Sequence, residues 1–178
     1  EILFDHKLSN LCINNSEVHF LNNATYKVKH IAACDGINSL CRNQVLSSGD
    51  PIYSGYSVWR SIVDKTQDNI ETSLGPNYHI VTYPISSSKV SFVAAIKTSK
   101  EYIESWKMPG TLEELKADIP RSADEFLSFL DECSTLYKWG VFTRPSVSKL
   151  CFDNLTLLGD AAHPIVPFIG QGGCLALE

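Results

Sequence analysis

Twenty consecutive residues constrain this chain more than any other stretch: Leu155-Thr-Leu-Leu-Gly-Asp-Ala-Ala-His-Pro-Ile-Val-Pro-Phe-Ile-Gly-Gln-Gly-Gly-Cys174. The apolar run Leu155–Leu158 reads as a buried strand whose carboxyl end presents Gly159 and Asp160, and in open α/β sheets ligands bind at that end. A carboxylate there can accept a hydrogen bond from a sugar-like hydroxyl. Pro164 and Pro167 stiffen the loop that follows. Gly170, Gly172 and Gly173 let bare backbone approach a planar or anionic ligand. Gln171 then opens a helix whose free N–H groups and positive dipole end would face that ligand. Gly-Asp alone is equally well a surface turn with Asp160 as a cap, but one turn does not require the rest of the string.

A second turn of the same kind lies upstream. Ile31-Ala-Ala-Cys34 reads as the end of a small, buried strand, followed at once by Asp35-Gly36 and a helix over Ser39–Val45. Gly36 permits a tight strand-to-helix turn, and Ser39 can cap the helix. Arg42 can pair with Asp35 or with a phosphate. Before this turn the sequence alternates as short strands, Val18–Leu21 and Tyr26–Ile31, with Asn22-Asn23 turning between them.

The stretch between the two Asp/Gly turns has a different texture. Strands are expected over Tyr53–Val63, Tyr78–Ile85 and Lys89–Lys97, the last placing Val90, Phe92, Ala94 and Ile96 on one face at period two. Two helices follow, each with a capping-box pattern: Thr111 with Glu114, and Ser122 with Glu125. Ala123, Phe126, Leu127 and Leu130 then share one helical face. The expected architecture is an α/β (α+β) chain. Residues 1–46 and 150–178 form part of a Rossmann-like domain, and residues 53–140 form an inserted, mostly antiparallel sheet domain with helices.

Composition narrows the function classes. With 44% hydrophobic and 20% charged residues, the chain can fill a core and is not a disordered segment. The net charge of −5 comes without any basic tract, so a nucleic-acid partner is not expected. The longest apolar run, Phe92–Ile96, falls far short of the roughly 20 residues of a membrane span. Six cysteines, without C-x-x-C pairs or His at zinc spacing, read as reduced thiols of a cytoplasmic protein and give no metal site.

The long string resembles the second FAD-binding motif of the class A flavoprotein monooxygenases, in the salicylate-hydroxylase-like group of aromatic hydroxylases. That motif runs Gly-Asp-Ala-Ala-His-x-x-x-Pro-x-x-Gly-Gln-Gly-x-x-x-Ala-Leu-Glu. Gly159, Asp160, Ala161, Ala162, His163, Pro167, Gly170, Gln171, Gly172, Ala176, Leu177 and Glu178 match it. Asp35, Gly36, Ser39 and Arg42 match the family's Asp-Gly motif. Tyr53-Ser-Gly-Tyr-Ser-Val-Trp-Arg60 resembles the strand that enters its substrate domain, and Gly75-Pro76 and Tyr83-Pro84 resemble a later pair of strands.

The resemblance implies FAD as cofactor and NAD(P)H as reductant. An aromatic or similar electron-rich small molecule would be hydroxylated with O₂ through a flavin C4a-hydroperoxide. It implies that Gly159 and Asp160 bind the cofactor, Asp160 holding the ribityl 3′-hydroxyl, that residues 164–173, with Pro164, Pro167, Gly170, Gln171, Gly172 and Gly173, line the isoalloxazine, and that Asp35, Gly36 and Arg42 support the cofactor. Trp59, His79 and Tyr83 could line an aromatic pocket, although ordinary sheet packing explains each as well. His163 is expected to hydrogen-bond structurally rather than transfer protons. No discrete catalytic base is expected, because the cofactor carries the chemistry. The family's Gly-x-Gly-x-x-Gly turn does not occur in this sequence. The chain therefore reads as a segment of a longer protein, with a catalytically inactive fragment or gene remnant as the alternative.

Overall fold

The computed structural model describes residues 1–46, 49–103, 105, 108–130 and 133–178, the side chains of 124, 125 and 134 excepted. Glu125, and with it the second expected capping box, lies outside the described side chains. Ser47 and Ser48 lie outside the described residues. In chain order the elements are strands β1 (Leu8–Cys12), β2 (Glu17–Phe20), β3 (Thr25–Lys27) and β4 (Ile31–Ala33), then helix α1 (Leu40–Val45). Strands β5 (Ile52–Val63), β6 (Glu71–Gly75), β7 (Tyr78–Ser86), β8 (Lys89–Lys97) and β9 (Pro109–Gly110) follow. Helix α2 (Leu112–Asp118), 3-10 turns over Arg121–Leu130, and β10 (Cys133–Thr143) lead to β11 (Cys151–Phe152), β12 (Leu155–Leu157) and α3 (Gly172–Leu177).

The chain divides into two compact units, one formed by Glu1–Ile52 with Phe142–Glu178 and the other by Tyr53–Val141. The first holds two three-stranded sheets, β1-β2-β3 and β11-β12-β4. In the second of these, β12 pairs parallel with β4, Leu157 opposite Ala33. Leu11, Val18, Ala33, Cys41, Leu155, Leu157 and Ala162 make the core. The expected strand Tyr26–Ile31 is two strands: β3 pairs antiparallel with β2, and β4 begins at Ile31 in the other sheet. Alternation in the sequence runs on through this change of sheet, so side-chain period cannot reveal it.

The second unit is a six-stranded sheet in the order β6-β7-β8-β5-β10-β9. Val90, Phe92, Ala94 and Ile96 are fully buried on the face that the period-two pattern marks. Leu115 of α2, Ala123 and Leu130 pack into the same core. Thr111 and Glu114 form the capping box: Thr111 Oγ1 accepts from Glu114 N–H at 3.2 Å, and Glu114 Oε2 accepts from Thr111 N–H at 2.8 Å. The segment Arg121–Leu130 buries the expected face but winds as 3-10 turns, not as an α-helix. Strands β6 and β10 have no counterpart in the sequence reading. β10, Cys-Ser-Thr-Leu-Tyr-Lys-Trp-Gly-Val-Phe-Thr143, mixes polar and apolar residues on both faces, so its period is blurred.

Candidate functional site

The parallel pair β4 and β12 delivers two loops from neighbouring carboxyl ends. Leu158 N–H donates to Ala33 O at 3.0 Å, extending the ladder to the point where both loops leave the sheet. The first loop is internally closed. Ser39, fully buried at the N-cap of α1, donates to Asp35 Oδ1 at 2.6 Å and accepts from Arg42 N–H at 2.8 Å. Cys41 N–H donates to Asp35 Oδ2 at 3.0 Å. Burial alone would push the Asp35 carboxyl up, but the bonds from Ser39 and Cys41 together hold it below its ordinary value. The Cys41 thiol beneath is pushed up to about 12 by burial and by the Asp35 charge, so it is an inert core thiol.

The second loop is built the opposite way. Gly159 has φ +56°, and its carbonyl accepts from both Ala162 and His163 N–H at 2.9 Å, which folds the backbone into a compact turn. Asp160 is exposed on that turn, and its carboxylate has no hydrogen-bond or ion-pair partner among the described residues. The N-cap positions here belong to Leu158 and, for α3, to Gln171. Downstream, Pro167–Ile169 forms a 3-10 turn closed by Gly170 at φ +64°. A Cβ at Gly170 or Gly173 would meet nothing within 4 Å, so open space lies over this backbone. An unpaired carboxylate at a strand's carboxyl end, followed by bare and accessible backbone, fits the ribityl hydroxyls and planar ring of a flavin.

Arg42 lies between the loops, and its guanidinium does not pair with the Asp35 carboxylate. Its guanidinium is fully buried and donates to Ala161 O at 3.2 Å, Ala162 O at 2.9 Å and Pro145 O at 2.6 Å. The Asp35 carboxylate is occupied within its own turn, so helix α1 turns its arginine to carbonyls instead. Arg144, 7% exposed, returns the contact by donating to Asn43 Oδ1 and Gly49 O, both at 2.8 Å. Burial, and next to it the Arg144 charge, lowers the Arg42 pKa from its ordinary value. In the sequence Arg144 precedes a proline, a dipeptide that reads only as punctuation before the last strand. Nothing in a lone Arg-Pro announces a buried guanidinium.

In the second unit the three expected pocket residues do not come together. Register places Trp59 opposite Ala94, and Ala94 opposite Ile80, all on the core face. Trp59 is fully buried against Tyr102, with Lys138 Nζ 5.4 Å from its ring centroid. Lys138 in turn pairs with Glu114, whose carboxyl is held low first by that bond and then by the Thr111 N–H. Trp59 is thus a core residue of the helix-covered face. His79, opposite Ala95, and Tyr83, opposite Ser91, lie on the other face and are half-buried. Burial lowers the His79 pKa, so its imidazole is neutral near pH 7.

The family model described as "FAD binding domain" matches residues 17–178. The chain belongs to the FAD binding domain family. Among curated relatives it is 31% identical over 170 residues to the 3-amino-4-hydroxybenzoate 2-monooxygenase PtnB3 of Streptomyces platensis, covering 90% of this chain and 42% of that protein. It is 30% identical over 155 residues to a 3-hydroxybenzoate 6-hydroxylase of Klebsiella oxytoca, covering 83% and 39%. The chain thus spans less than half the length of these relatives. Among solved structures, Klebsiella pneumoniae HpxO complexed with FAD and uric acid has a TM-score of 0.77 at 22% identity, covering 97% of this chain and 46% of that one. A salicylate hydroxylase substrate complex gives 0.70 at 20% identity, covering 93% and 47%. The fold is that of the FAD-binding hydroxylases, and FAD is the cofactor of the family.

Proposed function

We propose that this chain is part of an FAD-dependent, NAD(P)H-using monooxygenase that hydroxylates an aromatic acid of the hydroxybenzoate type. The exposed, unpartnered Asp160 carboxylate at the end of β12 carries the reading. When bound, a flavin reduced by a nicotinamide cofactor supplies the activation of O₂ and the transfer of one oxygen atom to the ring. The protein's own part is orientation. Asp160 would accept a ribityl hydroxyl, the backbone over 164–173 would lie along the ring, and Asp35, through its carboxylate, and Gly36 shape the neighbouring turn. Tyr83 and His79 share the face of the second unit's sheet opposite the helix-covered core, and this reading assigns both to the aromatic substrate. Curated relatives named as benzoate-type monooxygenases support the substrate class.

The alternative of a remnant without catalysis is not favoured. The match to proteins named as monooxygenases runs through 90% of the chain, with the Asp160 loop inside it. The test uses the protein at its natural length. Purified protein loaded with FAD is given NADH or NADPH with 3-hydroxybenzoate or 3-amino-4-hydroxybenzoate, and the products are separated. Substrate-stimulated oxidation of the nicotinamide with one added ring hydroxyl is expected. Loaded flavin that is never reduced, or reduction that leaves every aromatic acid unchanged, would overturn the reading.

A further inference from the structure

Two buried arginines hold each other's segments. Arg42, on α1, reaches across to the carbonyl of Pro145; Arg144, one residue before that proline, reaches back to the side chain of Asn43, one residue after Arg42. The same Arg42 guanidinium donates to Ala161 O and Ala162 O, 119 and 120 positions along the chain. These are the residues directly after Asp160. A fully buried guanidinium that hydrogen-bonds three carbonyls has no surface to offer a cofactor, and its five donors form a rigid fork that fixes the groups they meet.

We propose that Arg42, braced by Arg144, is a positioning residue that holds the Gly159–Ala162 turn in its binding shape before any cofactor arrives. Asp160 then meets a ribityl hydroxyl without a further cost of ordering the loop, and preorganisation of that kind appears directly as affinity. Arg42 acts through the turn and touches no cofactor. This rests on the flavin reading above for its consequence, but not for the geometry of the clasp.

The experiment compares Arg42→Met with Val18→Ala in the protein at its natural length. Val18 belongs to the same core and is remote from the turn in the hydrogen-bond network, so it reports a general loss of stability. Two quantities are read at a temperature where all variants are folded: the FAD Kd, and hydrogen exchange at the Ala162 and His163 amides that close on Gly159 O. Arg42→Met is expected to weaken FAD by about tenfold or more and to speed exchange at those two amides selectively. Val18→Ala is expected to lower the thermal midpoint with FAD Kd unchanged per folded molecule. Arg42→Lys keeps the charge but loses the fork, and falls between wild type and Arg42→Met in both readouts; it stands in if Arg42→Met fails to fold. If the arginine variants change Kd no more than Val18→Ala, and exchange rises evenly across the first unit, the positioning role is overturned. If wild-type protein binds no FAD while exchange at Ala162 and His163 still responds selectively, the clasp stands and the flavin reading falls.

Discussion

Asp35 and Asp160 occupy equivalent places at the ends of neighbouring parallel strands, yet their side chains do opposite things. Asp35 has both oxygens bonded inside its own turn, whereas Asp160 has none of the described residues as a partner. A carboxylate left uncommitted at a strand's carboxyl end has no structural use there, and removing it should leave the fold intact. Asp160→Ala is therefore expected to weaken FAD binding by about 10- to 150-fold, the equivalent of losing one charge-assisted hydrogen bond of roughly 1.5–3 kcal/mol. The thermal midpoint without cofactor should stay within about a degree or two of wild type, as for other exposed substitutions. Titration of FAD against both proteins, alongside their melting curves, decides the point. A lowered midpoint with unaltered FAD affinity would make Asp160 a capping residue after all.

At the scale of elements, α1 shows how a strand-to-helix turn can depend on one carboxylate. The Asp35 pKa is held below its ordinary value by bonds formed only in the folded turn. Its stabilisation is therefore present above the unfolded-state pKa and is lost as pH falls through the lower, folded one. Asp35→Asn keeps one acceptor oxygen and loses the charge. It should be less stable than wild type at neutral pH, and the gap should close as the pH is taken below the ordinary carboxylate range. Chemical denaturation across that range measures it; a gap that does not change with pH would assign the loss to something other than the carboxylate. This turn was legible in the sequence because Asp-Gly and a capping Ser lie within five positions of one another. The β8 core face and the Thr111–Glu114 box were legible for the same reason, since local period and local caps are written locally. Trp59 was not: which face it takes depends on pairing with Ala94 across the sheet, and only register supplies that. The partners of Arg42 and Arg144 were equally hidden, because they are carbonyls and an amide that distant segments bring within reach.

For the molecule as a whole, the two units differ in how far along the chain their contacts reach. Tyr53–Val141 is one continuous segment, and its strands β6, β7 and β8 are joined by short turns. The other unit closes only when β12 returns to β4 and Arg42 finds carbonyls 119 positions away. Loop-closure entropy rises as about (3/2)RT ln n, so this pairing costs more to begin than a hairpin does, and distant pairings form slowly. The strand that leads to Asp160 is thus expected to be placed last, and the turn that Arg42 holds to form only with it. Pulsed hydrogen exchange during refolding should protect the β7 and β8 amides, Val81 and Val93 among them, before those of Ile31 and Leu158, which donate to Asn154 O and Ala33 O across the parallel pair. Leu157→Ala, at a fully buried position, should speed unfolding and leave the refolding rate nearly unchanged, as for a contact made after the transition state. Protection of Ile31 and Leu158 together with, or ahead of, the β7–β8 hairpin would show that the parallel pair belongs to the folding nucleus.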